Sequence, residues 1–133
     1  MTMLKKIPEL LALRIMIVLF CAVLIFHLLV IVGIIPYSII WGGKMKTHDD
    51  MVVMEGISIG INLFFLGIIF LRFSQRNNAS LVNKLRIAFW LFFVLFTLNT
   101  LGNLFAETLT ETLIFTPLTV MLAILSLRLA LKA

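Results

Sequence analysis

A few polar side chains in an otherwise apolar chain could bind or carry an ion: Glu55, His27, Asn62, Asn99 and Asn103. Ionisable groups inside apolar spans are costly and face a bundle interior or a water-filled cavity. At about 100° per residue, Glu55, Ser58 and Asn62 share one helix face, while Gly56, Gly60 and Gly67 share another, roughly 120° away. Asn99, Asn103 and Glu107 recur at every fourth position, with Thr100 beside them. A rise of about 1.5 Å per residue puts His27 and Asn99 roughly 10 Å below one boundary of a bilayer, with Glu55 somewhat above them and Asn62 somewhat below. Carboxylate, imidazole and amide groups gathered at one depth support two readings. They could line an outward-facing vestibule with Glu55 as a cation or proton site, or they could satisfy one another and lock the register of the helices.

Other chemistries find less support. Haem ligation between helices needs a second intramembrane histidine, and His48 lies in a loop. Cys21 is the single cysteine, which excludes an internal disulfide and a multi-cysteine metal site. Met45, Met51 and Met54 read as packing rather than as soft-metal ligands. The expectation is therefore a protein that is not an enzyme, with no cofactor and no metal.

The elements that position these groups follow from composition. With 62% hydrophobic and 13% charged residues, the chain is too apolar for a water-soluble core. Spanning hydrocarbon takes about 20 apolar residues in a helix, and four runs qualify, near 15–35, 51–71, 87–104 and 113–131. Strand-like alternation is missing, and helices satisfy every backbone group in lipid. The expected fold is an all-α integral membrane protein, a single transmembrane domain over 1–133, built as an antiparallel four-helix bundle. Lys5 and Lys6 resemble the basic start of a signal peptide, but the apolar run that follows is too long for one and reads as a retained span.

Orientation follows from the basic residues. Of 11 Lys and Arg, Lys44 and Lys46 alone fall on the side opposite the termini, where Asp49 and Asp50 offset them. The positive-inside rule then places both termini in the cytoplasm, in a plasma or inner membrane. Arg14 and Arg128, near the inner helix ends, can reach the headgroups. The net charge of +5 comes from residues flanking apolar runs, which argues for a membrane face and against nucleic acid.

The stretch IPYSIIWGGKMKTHDD joins the first two spans. Pro36 should stop the first helix, Tyr37 and Trp41 suit an interfacial aromatic belt, and Gly42 and Gly43 permit a tight reversal. Thr47 with Asp50 resembles a capping box. The segment reads as anchor, turn and cap, with a ligand-contacting lid as the alternative. Thr116-Pro117 marks a kink or a first-turn proline. The short linkers imply that consecutive helices pack side by side. Gly56 and Gly60 form a small-residue pattern suited to close helix approach. Four helices enclose little volume, so transport would require a homo-oligomer, formed through the glycine face, or a partner membrane protein. The leading expectation is a small oligomeric membrane protein handling an ion or solute around Glu55. The alternative is a non-transporting accessory or assembly subunit whose polar cluster is structural.

Overall fold

The computed structural model describes residues 1–132, and among them the chain is helical with no strand. Its main elements are α1 (Glu9–Ile31), α2 (His48–Ser74), α3 (Ala79–Leu104) and α4 (Thr116–Ala130), the last entered through a π-helical turn at Glu111–Phe115. Four segments, Glu9–Ile31, His48–Ser74, Ala79–Leu104 and Glu111–Ala130, are long and apolar enough to cross a membrane.

The helix boundaries have local causes. The first helix begins and ends earlier than the apolar run suggests. It starts directly after Pro8, and it stops because Gly33 takes φ +83°. The Ile34 N–H then donates to the Leu29 carbonyl at 2.9 Å and the Gly33 N–H to the Val30 carbonyl at 3.0 Å, a Schellman ending. Gly33, rather than Pro36, therefore terminates α1. The capping box at α2 is present: the Asp50 N–H donates to Thr47 Oγ1 at 3.1 Å, and the Thr47 N–H donates to Asp50 Oδ2 at 3.2 Å. Asn78 caps α3, accepting from the Leu81 N–H at 3.2 Å. That helix begins two turns before the expected Ile87, because hydropathy marks only its apolar part and misses the polar turns around Asn83, Lys84 and Arg86. Pro117 follows the π-helical turn directly, inside a helix that runs unbroken from that turn to Ala130, and the wider turn before it accommodates its ring and missing N–H.

Around the bundle the order is α2, α1, α4, α3: α1 packs on α2 and α4, and α3 packs on α4. The expectation that consecutive helices all lie side by side fails at one pair. The backbones of α2 and α3 make little contact. Aromatic rings fill part of the gap, with Phe65 centred 4.6 Å from Phe92 and 5.7 Å from Phe96. The half of the bundle nearer the termini is closed by a core that includes Leu13, Met16, Phe20, Ile69, Phe89 and Leu129. A smaller cluster of Val30, Ile40, Met45 and Met51 sits at the opposite, loop end.

The terminal end is fastened by arginines. Arg72, only 3% exposed, donates through Nε to Glu9 Oε1 at 2.9 Å and through Nη1 to the Val82 carbonyl at 2.7 Å. Arg128 is buried and donates to the Ile7 carbonyl at 2.7 Å, so it binds the N-terminal segment instead of reaching outward as its sequence position suggests. Arg86 donates to the Ala130 carbonyl at 2.8 Å, satisfying an acceptor at the end of α4. Arg14 stays exposed.

Gly56, Gly60 and Gly67 do not make the close approach expected of them within one copy. All three are exposed, and a Cβ added at any of them would meet nothing within 4 Å. The face of α2 that turns inward is the one bearing Glu55, Ser58 and Ile69.

Two outcomes follow. Arg72→Met removes donors from Glu9 and from the Val82 carbonyl. It should cost about 1.5–3 kcal/mol, toward the lower value because the Glu9 side chain retains 29% exposure. The expected result is a lower midpoint of thermal unfolding in detergent. Gly56→Ala with Gly60→Ala should instead leave the midpoint unchanged or raise it, since alanine is favoured in helices by about 0.5–1 kcal/mol per site. A clear loss of stability would show that this face is covered in the assembled protein.

Candidate functional site

Glu55 is fully buried on α2, two turns from the Thr47 cap, and both of its carboxylate oxygens are engaged. His27 Nδ1, from α1, lies 2.5 Å from Oε2, a hydrogen-bonded contact that becomes an ion pair when the imidazole is protonated. The indole Nε1–H of Trp41 donates to Oε1 at 3.0 Å. Three separate segments thus meet on one carboxylate.

Trp41 reaches that position at a conformational cost. Its φ is +54°, a left-handed conformation uncommon for a bulky residue. The preceding Ile40 is extended and buried, and the Trp41–Gly43 turn closes with Gly43 at φ +69°. Such conformations persist where the surroundings over-determine them. Here the surroundings are the bond to Glu55 on one side and the packed Ile40 on the other. The indole is therefore an inward ligand of the carboxylate as well as a residue of the loop surface, where it keeps 37% exposure.

Around this node the helices spread to form a cleft between α2 and α3, with a volume of about 540 Å³. Its loop-end wall carries His27, Trp41, Asn62, Asn99, Asn103 and Glu111. Its floor, toward the middle of the bundle, is formed by apolar groups including Phe65, Leu95, Phe96 and Leu122. Glu55 itself does not line the cleft; it stands behind His27 and Trp41, which do.

The remaining polar residues divide by partner. Ser58 and Asn62 share the face of Glu55, but their donors turn back to their own helix, Ser58 Oγ to the Met54 carbonyl at 3.0 Å and Asn62 Nδ2 to the Ser58 carbonyl at 2.8 Å. Asn103 makes a long contact of 3.4 Å to Thr119 Oγ1, while Thr100 Oγ1 lies 2.9 Å from the same hydroxyl. Asn99 has no side-chain hydrogen bond within the described residues, although it lines the cleft. So His27 and Glu55 meet each other, and the asparagines meet the cleft instead of them. Glu107 falls outside the helical stripe, because α3 ends at Leu104. Among the described residues, His, Cys, Asp and Glu nowhere gather in threes as a metal ion would need.

Three participants escape a reading by polarity and spacing: Trp41 as a ligand of Glu55, Thr119 as the joint between α3 and α4, and Glu9 as the partner of Arg72. Trp41 could have been suspected from the two glycines after it, which allow a turn that redirects a side chain inward. Glu9 precedes the first apolar run and gives no sign of its partner. Fold and site together define a small four-helix protein with membrane-spanning proportions and a polar-ended cleft. No family model matches the chain, and comparison with curated proteins and with solved structures finds no match.

Replacing the carboxylate tests the node. Glu55→Leu leaves the donors of His27 and Trp41 without an acceptor. Because both residues retain some access to water, the expected cost is about 1–3 kcal/mol. In a Trp90→Phe background the emission of Trp41 should shift to the red as the indole comes free. Glu55→Gln keeps an acceptor for the indole and should leave the emission near that of the parent protein. An unshifted spectrum in Glu55→Leu would show that Trp41 is held by packing alone.

Proposed function

We propose that this protein is a small membrane protein that takes a solute into the cleft between α2 and α3, with His27, Asn62, Asn99 and Asn103 as contacting groups. The observation that carries this reading is the convergence of polar side chains from α1, α2 and α3 on one open cavity, with Asn99 lacking a partner of its own. Asn99 is exposed, and at that depth of a bilayer its amide has only water or a ligand to complete it. The charge distribution supports an orientation with the termini in the cytoplasm and the cleft toward the outside.

In this reading Glu55 holds the site together and does not itself bind the solute. Its oxygens are occupied by His27 and Trp41, and through them it sets two walls of the cleft. The terminal half of the bundle is filled by Leu13, Phe20, Phe89 and Leu129, so a route through one copy would have to pass a packed core. Binding is thus better supported than conduction, and transport would call for a second conformation or further copies.

The alternative, an accessory or assembly subunit, draws support from the complete satisfaction of Glu55, as expected of a group that only locks a fold. Alkylation separates the two. In a Cys21→Ala background reconstituted in liposomes, Asn99→Cys should react readily with N-ethylmaleimide, because a hydrated cleft allows the thiolate to form. Val94→Cys, on the exposed apolar face of α3, should stay inert. Equal inertness at both positions would mean a closed cleft and would favour the accessory role.

A further inference from the structure

The polar groups that line the cleft lie toward its loop end, beside the rings of Phe26 and Phe115, and the deeper lining is apolar. On α1 the lining passes from His27 at the loop end to Val23 deeper in, and on α3 from Asn103 and Asn99 to Leu95. On α2 it passes from Ser58 and Asn62 to Phe65, and on the fourth segment from Glu111 through Thr119 to Leu122. A cavity that is polar at one end and hydrocarbon-like at the other matches a molecule built the same way.

The nature of the polar end narrows the class. Among the described residues, no lysine or arginine lines the cleft. Lys44 borders a separate surface pocket with Asp49 and Asp50, and Lys46 donates to the Gly43 carbonyl. A phosphate or carboxylate head would find no cation and would face Glu111. His27 Nδ1 is committed to Glu55, which leaves Nε2 for a ligand. What remains for a head group is that nitrogen and the hydrogen-bonding capacity of Asn62, Asn99 and Asn103, which suits hydroxyl and ester groups.

The floor argues for a hydrocarbon tail. Apolar cavities do not hold ordered water, and a void there forfeits the dispersion contacts of its lining. Side access exists as well. The gap between α2 and α3 is flanked by Ile61, Leu95 and Leu98, all exposed and apolar, so that hydrocarbon outside the bundle meets hydrocarbon within. The volume falls in the range of about 300–1,000 Å³ that suits small ligands. That favours one chain over the two of a glycerophospholipid.

We infer that the cleft binds an uncharged single-chain amphiphile from the bilayer, head against Asn62, Asn99 and Asn103 and tail against Phe65, Phe96 and Leu122. This rests on the solute-binding reading above and names the class of solute. The amphiphile enters sideways between α2 and α3 and lies parallel to the lipids of the leaflet at the loop end.

The test uses the full chain in phosphatidylcholine liposomes with a monopalmitoylglycerol analogue carrying a photoreactive diazirine near the end of its chain. Irradiation should label Phe65, Phe96 or Leu122, and excess unmodified monopalmitoylglycerol should suppress the labelling. The same competitor, raised about tenfold to offset the hydrogen bond this variant lacks, should slow alkylation of Asn99→Cys. Asn99→Leu with Asn103→Leu should weaken the competition by roughly tenfold for each hydrogen bond lost. Gly102→Trp gives a second check: Gly102 lines the cleft, and a Cβ there meets nothing within 4 Å. That variant should keep its melting midpoint and lose the labelling of the floor. Labelling spread over the outer helix faces and indifferent to competitor, with Asn99→Cys still alkylated, would overturn the amphiphile and leave the solute cleft standing. Failure of both the lipid probe and the maleimide to reach the cleft would overturn both.

Discussion

A carboxylate enclosed by apolar helices has to be met by donors on each oxygen, and at Glu55 those donors come from two other parts of the chain. His27 supplies one from α1, and Trp41 supplies the other from the connection to α2. Burial makes an unmet oxygen expensive, so the requirement fixes the rotation of α1 against α2 and draws the loop down upon them. The positive φ of Trp41 shows how firmly the position is imposed, since that backbone conformation is unfavourable without compensation. Val30, Ile40, Met45 and Met51 then pack as a small core beneath the loop.

The arginines at the other end are satisfied internally as well, although the buried Ser126 hydroxyl there has no partner among the described residues. Arg72 and Arg128 are long enough to extend into solvent, yet each is buried on an acceptor of this chain, Glu9 and the Val82 carbonyl for one and the Ile7 carbonyl for the other. Arg86 closes the last turn of α4 in the same way. These bonds tie the start of α1, the end of α2, the start of α3 and the end of α4 together. The helices are thus pinned at the terminal end by arginine and at the loop end by a carboxylate, with aromatic and aliphatic packing between.

Between those fastenings α2 and α3 remain apart, and the cleft is the consequence. Phe65, Phe92 and Phe96 bridge the helices at mid-depth, and their size sets a separation that the smaller side chains toward the loop end do not close. The π-helical turn before α4 adds width where Glu111 and Phe115 line the opening. Thr119 holds α3 and α4 together through Thr100, so the space opens on the side of α2. A cavity with amides at its mouth and rings at its floor therefore arises from where large, small and polar side chains fall along the helices.

Much of this was legible in the sequence because it depends on properties local to each segment. Apolar run length shows four helices of membrane-crossing proportions, Thr47 and Asp50 announce a capped start, and a period of 3.6 puts Glu55, Ser58 and Asn62 on one face. Boundaries were less legible. Hydropathy cannot see the polar turns of α3 before Ile87, and the αL residue that stops α1 is Gly33, three positions before the more conspicuous Pro36. Pairing across the bundle was not legible at all. The sequence shows that a histidine and a glutamate share a depth, but their rotation about separate helix axes decides whether they touch, and the asparagines at the same depth face the cleft instead. The glycine face illustrates the same limit from the other side, being suited to close packing yet left open because the inward direction of α2 is set by Glu55. Only the tertiary structure decides which side chains meet, since contact depends on the relative rotation and spacing of helices, which no single segment encodes.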